Sequence, residues 1–188
     1  MKILTGYLKG RALPFVPSAD LRPTTDKVRK AMFDVLQDFI PGKRALDLYS
    51  GTGAMGLEAL SQGAAFVCFV ERNAARVRNI ESALKRWKLE ESSEVMRLDV
   101  LHALTRLGLG KESFDLVFID PPYKENNGAE TLNALDEAGI VADGGFVVVE
   151  CGKREELPEK TKRFSVIRDK RYGQSRVVIY ATPRPGRP

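Results

Sequence analysis

From residue 44 onward, short apolar runs alternate with segments whose apolar positions recur at helical spacing. RALDLY (44–49), AFVCFVE (65–71), EVMRLD (94–99), FDLVFID (114–120) and GGFVVVEC (144–151) read as five strands. AMGLEALSQG, closed by Gly63, predicts a helix, and so does NAARVRNIESALKRWKL, where Val77, Ile80, Leu84 and Trp87 follow spacings of three and four. Another helix is expected over 129–139. RFSVIRDKRYG and SRVVIYATP, joined through YGQS, predict a closing antiparallel pair. Strands separated by helices must pair mostly in parallel, because each parallel connection needs a crossover. The expected fold is therefore α/β, a doubly wound, mostly parallel seven-stranded sheet of Rossmann-like form. Residues 117–119 and 146–149 are continuously apolar, as strands covered on both faces should be.

Ahead of this body, residues 1–17 predict a small β-hairpin or extended arm rich in Gly, Lys and Arg. LRPTTDKVRKAMFDVLQDF then predicts a helix, with Thr24 or Thr25 as cap and Asp26 at the positive end of the dipole. Val28, Met32, Val35, Leu36 and Phe39 form its expected core stripe, leaving Arg29 and Lys30 off it. The chain divides into residues 1–43, an N-terminal extension, residues 44–182, the α/β domain, and a proline-rich tail, 183–188.

Composition narrows the function. No apolar run approaches the roughly 18 residues of a membrane span, and the N-terminus lacks the core of a signal peptide. Cys68 and Cys151 stand apart in apolar runs, as free buried thiols do. The chain reads as cytoplasmic, without a membrane partner. Its net charge of +5 is uneven: +4 over residues 1–43, −6 over 44–150 and +7 over 151–188. Basic ends on an acidic body suit a polyanionic partner. No cluster of Cys and His suggests a metal, and His102 reads as a solvated or capping residue.

DLYSGTGAMG (47–56) places Gly51, Gly53 and Gly56 between a strand and a helix as G-x-G-x-x-G, and Glu71 follows Gly51 by 20 residues. That spacing suits a nicotinamide cofactor or any adenosine-bearing ligand. Asp47 separates the two, since a carboxylate beside the turn repels a diphosphate and favours a cationic amino acid end. The pattern points to S-adenosylmethionine, with Glu71 at the ribose hydroxyls and Asp99 at the adenine amine. Asp47 reads alternatively as a turn cap, and Asp99 as a helix N-cap. Asp47, Glu71, Asp99 and Asp120 all fall at or near strand ends, where open α/β sheets bind ligands.

The last of these acids opens Asp120-Pro121-Pro122-Tyr123. Each proline fixes φ and removes an N–H, so the corner offers acceptors and no donors from residues 121 and 122. A planar exocyclic amine supplies the matching donors. Held by Asp120 and the Pro121 carbonyl, its lone pair can be aimed at a methyl group, and orientation of this kind contributes about 7–11 kcal/mol at best. Asp120 also faces the positive charge that develops on nitrogen. Tyr123 offers a ring face to the base, worth about 1–3 kcal/mol.

DLYSGTGAMG with Glu71, Asp99 and FIDPPY resembles the class I methyltransferases that act on amino nitrogens. GYLKGRALPF and LRPTTDKVRKAMFDVL are similar, more narrowly, to the RsmD family of bacterial small-subunit rRNA (guanine-N2)-methyltransferases. The resemblance implies Asp47, Ser50, Gly51 and Gly53 at the methionine end of the cofactor, Glu71 at the ribose, and Asp99 with Val100 at the adenine. It implies Asp120, Pro121, Pro122 and Tyr123 around the target amine. Arg22 and Thr24 fall in the family's RPT signature at the mouth of the site, with the ligand each meets left open. Lys9, Arg11, Arg22 and Thr24 together make the expected substrate contacts. The implied partner is 16S rRNA, naked or within a small-subunit particle, and nothing sets an oligomeric state. The rival readings are an adenine-N6 or protein-glutamine methyltransferase, a non-catalytic RNA-binding module, and a nicotinamide oxidoreductase.

Overall fold

The structure, a computed structural model, describes residues 1–13, 26–122 and 127–184. Seven strands form one sheet: β1 (Arg44–Leu48), β2 (Phe66–Val70), β3 (Ser93–Met96), β4 (Phe114–Ile119), β5 (Val141–Gly152), β6 (Ser165–Tyr172) and β7 (Ser175–Ala181). Their order is β3-β2-β1-β4-β5-β7-β6. The first five strands pair in parallel, and β7 runs antiparallel to both β5 and β6. The helices are α1 (Asp26–Leu36), α2 (Ala54–Ser61), α3 (Ala74–Trp87), α4 (Val100–Leu109) and α5 (Gly128–Ala138). The expected seven-stranded α/β fold is the observed one.

Alternate residues of each central strand feed two cores, as a period of two requires. Ala45, Val67, Phe69, Leu116 and Phe118 face α1, α2 and α3. Leu46, Leu48, Cys68, Val70, Val117 and Ile119 face α4 and α5. Cys68 and Cys151 are free and buried, as expected, and burial pushes both thiols up to about 12. Among the described residues, no helix is long and apolar enough to cross a membrane.

Helix α1 departs from its expected stripe. Its buried face is Val28, Arg29, Met32, Phe33 and Leu36, whereas Val35 is 39% exposed. Arg29 is buried because acceptors from three segments meet it. Its Nη2 donates to the Lys2 carbonyl and lies 3.1 Å from Asp26, while Nε lies 3.9 Å from Glu58. Burial lowers its pKa, opposed by Glu58 and then Asp26. Apolar periodicity could not place this cation, since two of its partners, Lys2 and Glu58, lie in distant parts of the chain. Thr24, Thr25 and Arg22 lie outside the described residues.

Of the two shapes expected for the N-terminus, residues 1–13 take the hairpin. Ile3 N–H donates to Arg11 at 3.0 Å and Gly10 N–H to Ile3 at 2.9 Å. Ile3, Leu8 and Leu13 are buried in the same core as α1, α2 and α3. The Glu58 carboxylate accepts from the Leu4 amide at 2.9 Å, the Thr5 amide at 2.7 Å and the Thr5 hydroxyl at 2.7 Å. Gly6 has φ of 73°, and a Cβ there would fall 1.8 Å from the Ser61 carbonyl oxygen, so only glycine fits. The hairpin thus docks on the C-terminal half of α2.

Candidate active site

Register brings the strand ends level. Leu48 pairs with Val70 and Ile119, and Val70 pairs with Met96. Tyr49, Glu71 and Asp120 therefore leave the sheet side by side, with Asp99 three residues beyond Met96. The four expected acids lie along one edge, the C-terminal edge of the parallel strands.

The glycine loop crosses that edge between β1 and α2. Tyr49, Gly51 and Gly53 have φ of 59°, 57° and 75°, so the chain enters the left-handed region three times in five residues. Ser50 fixes the turn: its hydroxyl donates to the Asp47 carbonyl at 2.7 Å. The Ser50 amide donates to Val70 at 3.0 Å. Gly56 serves packing, since a Cβ there would come within 2.2 Å of the Phe69 ring.

Two carboxylates hold this loop from below. Gly53 is the N-cap of α2 and has no side chain to offer the orphan amides. Asp47 acts in its place, with Oδ2 accepting from the Gly56 amide at 2.9 Å. Asp47 is 1% exposed, and its carboxyl is pushed up to about 7 by burial. The Gly56 amide opposes that rise and the nearby Glu71 adds to it. Glu71 accepts from the Gly51 amide at 2.9 Å and the Asn73 amide at 2.7 Å, with Arg76 3.8 Å away. Asp99 caps α4, accepting from the Leu101 amide at 3.0 Å, and Val100 is the buried first residue of that helix. The capping roles weighed for Asp47 and Asp99 are thus both made by these side chains.

Asp120 is half-buried at the end of β4, and Pro121 is buried beside it. Tyr123, like Arg22 and Thr24, lies outside the described residues. Lys9 and Arg11 are exposed on the hairpin, away from the edge along which the four acids lie. The Arg11 guanidinium lies 5.8 Å from the ring centroid of Trp87, the last residue of α3. That helix has 14 residues, so Arg11 sits about 20 Å of helix rise from the glycine-loop end.

The family described as Conserved hypothetical protein 95 matches residues 1–181. Ribosomal RNA small subunit methyltransferase D of Escherichia coli is 33% identical over 180 residues, 96% of this chain and 89% of that protein. The chain belongs to the RsmD family of methyltransferases. YlbH of Bacillus subtilis is 36% identical over 180 residues, 96% of this chain and 98% of that protein. Among solved structures, Escherichia coli yhhF superposes with a TM-score of 0.86 at 33% identity, covering 97% of this chain and 98% of that one. Thermus thermophilus TTHA0928 gives a TM-score of 0.84 at 32% identity, covering 97% and 99%. In this RsmD-family chain, residues not singled out by the sequence also shape the site. The Tyr49 hydroxyl lies 2.8 Å from that of Thr131 on α5, which ties the glycine loop to the opposite layer. Asn73 caps α3 through the Ala75 and Arg76 amides, and its place two residues after Glu71 was a legible signal.

Proposed function

We propose that this chain transfers the methyl group of S-adenosylmethionine to the exocyclic N2 amine of a guanine in 16S rRNA. Membership of the RsmD family carries the broader statement, a class I enzyme that methylates rRNA from S-adenosylmethionine. The observation that carries the finer reading is the Asp120-Pro121-Pro122 corner, set beside the glycine loop by the pairing of β4 with β1.

The buried acid tests whether the site suits this cofactor. An anion above Asp47 and Glu71 would raise the cost of their charges, whereas an α-ammonium relieves it. The donor set suits a cationic amino acid end. Asp47, Ser50, Gly51 and Gly53 hold the methionine end, Glu71 the ribose, and Asp99 with Val100 the adenine. When bound, S-adenosylmethionine supplies an electrophilic methyl group on sulfur.

The remaining work falls to the corner. Asp120 and the Pro121 carbonyl accept the two N–H groups of the guanine amine and turn its lone pair out of conjugation with the ring. Pro121 and Pro122 contribute no N–H that would compete for these acceptors. Asp120 stabilises the positive charge growing on nitrogen, and it or a water takes the released proton. Tyr123 stacks on the base. An unstacked guanine in a loop lowers the cost of presenting the base to so small a domain.

The test is methyl transfer to small-subunit particles and naked 16S rRNA from a strain lacking the gene, with the product nucleoside identified by mass spectrometry. N2-methylguanosine is expected. N6-methyladenosine, or no transfer to either substrate, overturns the reading.

A further inference from the structure

Between α1 and the outermost strand β6 runs a shallow groove that no residue of the proposed active site uses. Its floor is apolar, formed by Met32, Val177 and Ile179. Arg168 pairs with Ile179 and Lys170 with Val177 in the ladder, so both cations stand on the face toward α1. Across the groove stand Ala31 and Val35, with Lys27 one turn earlier along the same stripe of α1. Tyr172 closes the upper end, half-buried against the same core.

Lys27, Arg168 and Lys170 are exposed. Among the described residues none of the three has an ion-pair partner. On α1, Asp34 is engaged by Lys30 at 2.7 Å, and Asp169, paired with Val178, stands on the opposite face of the sheet with Arg176 at 2.7 Å. Positive charge is left uncompensated here along an apolar floor. A single-stranded polynucleotide fits that combination, with phosphates for the cations and sugar or base faces for the floor. A folded protein partner would fit less well, because the charged side chains that line the groove, Arg168 and Lys170, are both cations.

The groove leads to the active site. Strand β6 runs toward the catalytic edge and ends at Tyr172, and the following turn is pinned there by the Lys153 amide donating to Gln174 at 3.0 Å. Three strand spacings separate β6 from β4, about 14 Å. We propose that the groove between α1 and β6 holds the RNA strand adjoining the target nucleotide, with Lys27, Arg168 and Lys170 on its phosphates. This rests on the reading that the substrate is rRNA.

The double variant Arg168→Ala/Lys170→Ala tests it, assayed on small-subunit particles and on naked 16S rRNA from a strain lacking the gene. Binding to RNA is expected to weaken about 10-fold, with the slope of log affinity against log salt falling by about 1.5 to 2. S-adenosylmethionine affinity should stay unchanged, and Arg168→Lys should retain the parent slope. An unchanged slope and an unchanged KM for RNA overturn the proposal. So does a loss confined to particles with the salt slope intact, which would mark a protein contact. If the parent chain methylates neither substrate, the function itself fails. If the parent is active and the double variant binds and methylates RNA as the parent does, this inference fails alone.

Discussion

Asp47→Asn separates what the buried acid does for the fold from what it does for the cofactor. The folded carboxyl titrates at about 7 against an ordinary value of 3.8, chiefly because burial penalises the charge. Below about pH 4 both folded and unfolded chains hold the proton. Between about 4 and 7 only the folded chain does, so stability falls as pH rises through that window, and above 7 the loss is complete. A shift of about three pH units amounts to about 4 kcal/mol. Asparagine has no charge to bury and keeps an oxygen for the Gly56 amide, at 2.9 Å in the parent. Its amide N–H groups need partners, which costs about 1–3 kcal/mol if they find none. Compared with the parent, the variant should therefore gain about 2–4 kcal/mol between pH 5 and pH 8, whatever its offset at low pH. Urea unfolding at several pH values and constant ionic strength reads this directly. Cofactor affinity should move the other way, weakening about 10-fold or more at pH 8 by calorimetry. A stability difference that does not change with pH refutes the burial argument, and unchanged affinity removes Asp47 from the methionine end.

Three other substitutions test separate links. Asp120→Ala should leave S-adenosylmethionine affinity within about 2-fold and lower kcat by about 10² or more; equal losses in both would make the acid structural. Gly56→Ala should cost about 1–3 kcal/mol in thermal unfolding, because its Cβ would meet the Phe69 ring at 2.2 Å. Phe69→Leu should recover part of that loss, and additive losses would refute the packing explanation. Glu58→Gln strips the charge from a carboxylate that meets Leu4, Thr5 and Arg29. It should destabilise by about 3 kcal/mol and free the Leu4 and Thr5 amides to hydrogen exchange. Protection that persists there would mean apolar contacts alone hold the hairpin.

What could be read from the sequence, and what could not, follows from how far each signal reaches. Runs such as 117–119 and 146–149 announce themselves because burial on both faces demands continuous apolar residues, and each helix carries its own period. The glycine loop was legible because left-handed backbone needs glycine at Gly51 and Gly53. Tyr49, in the same conformation at φ of 59°, carries no such mark, since its phenol is held by Thr131 from another layer. Arg29, expected off the core stripe, is buried for a similar reason. A cation can be buried only if acceptors converge on it, and those come from Lys2, Asp26 and Glu58. Local pattern contains Asp26 alone of these. The position of Lys9 and Arg11, at the far end of α3 from the glycine loop, also depends on docking rather than composition.

The acids show how structural and chemical roles combine. Glycine at Gly51 and Gly53 permits the turn but leaves backbone amides without side-chain acceptors, and a loop built this way is not held by its own residues. Glu71 on Gly51 and Asp47 on Gly56 supply the missing acceptors. The same two acids, brought close enough for Glu71 to raise the Asp47 pKa, would make the edge hostile to phosphate once Asp47 ionises. On the proposed reading, a carboxylate that braces the turn also selects the charge of what lies on it. Capping and cofactor selection are then one electrostatic arrangement, so a substitution that relieves the first should weaken the second. The opposed shifts in stability and affinity expected of Asp47→Asn are the consequence.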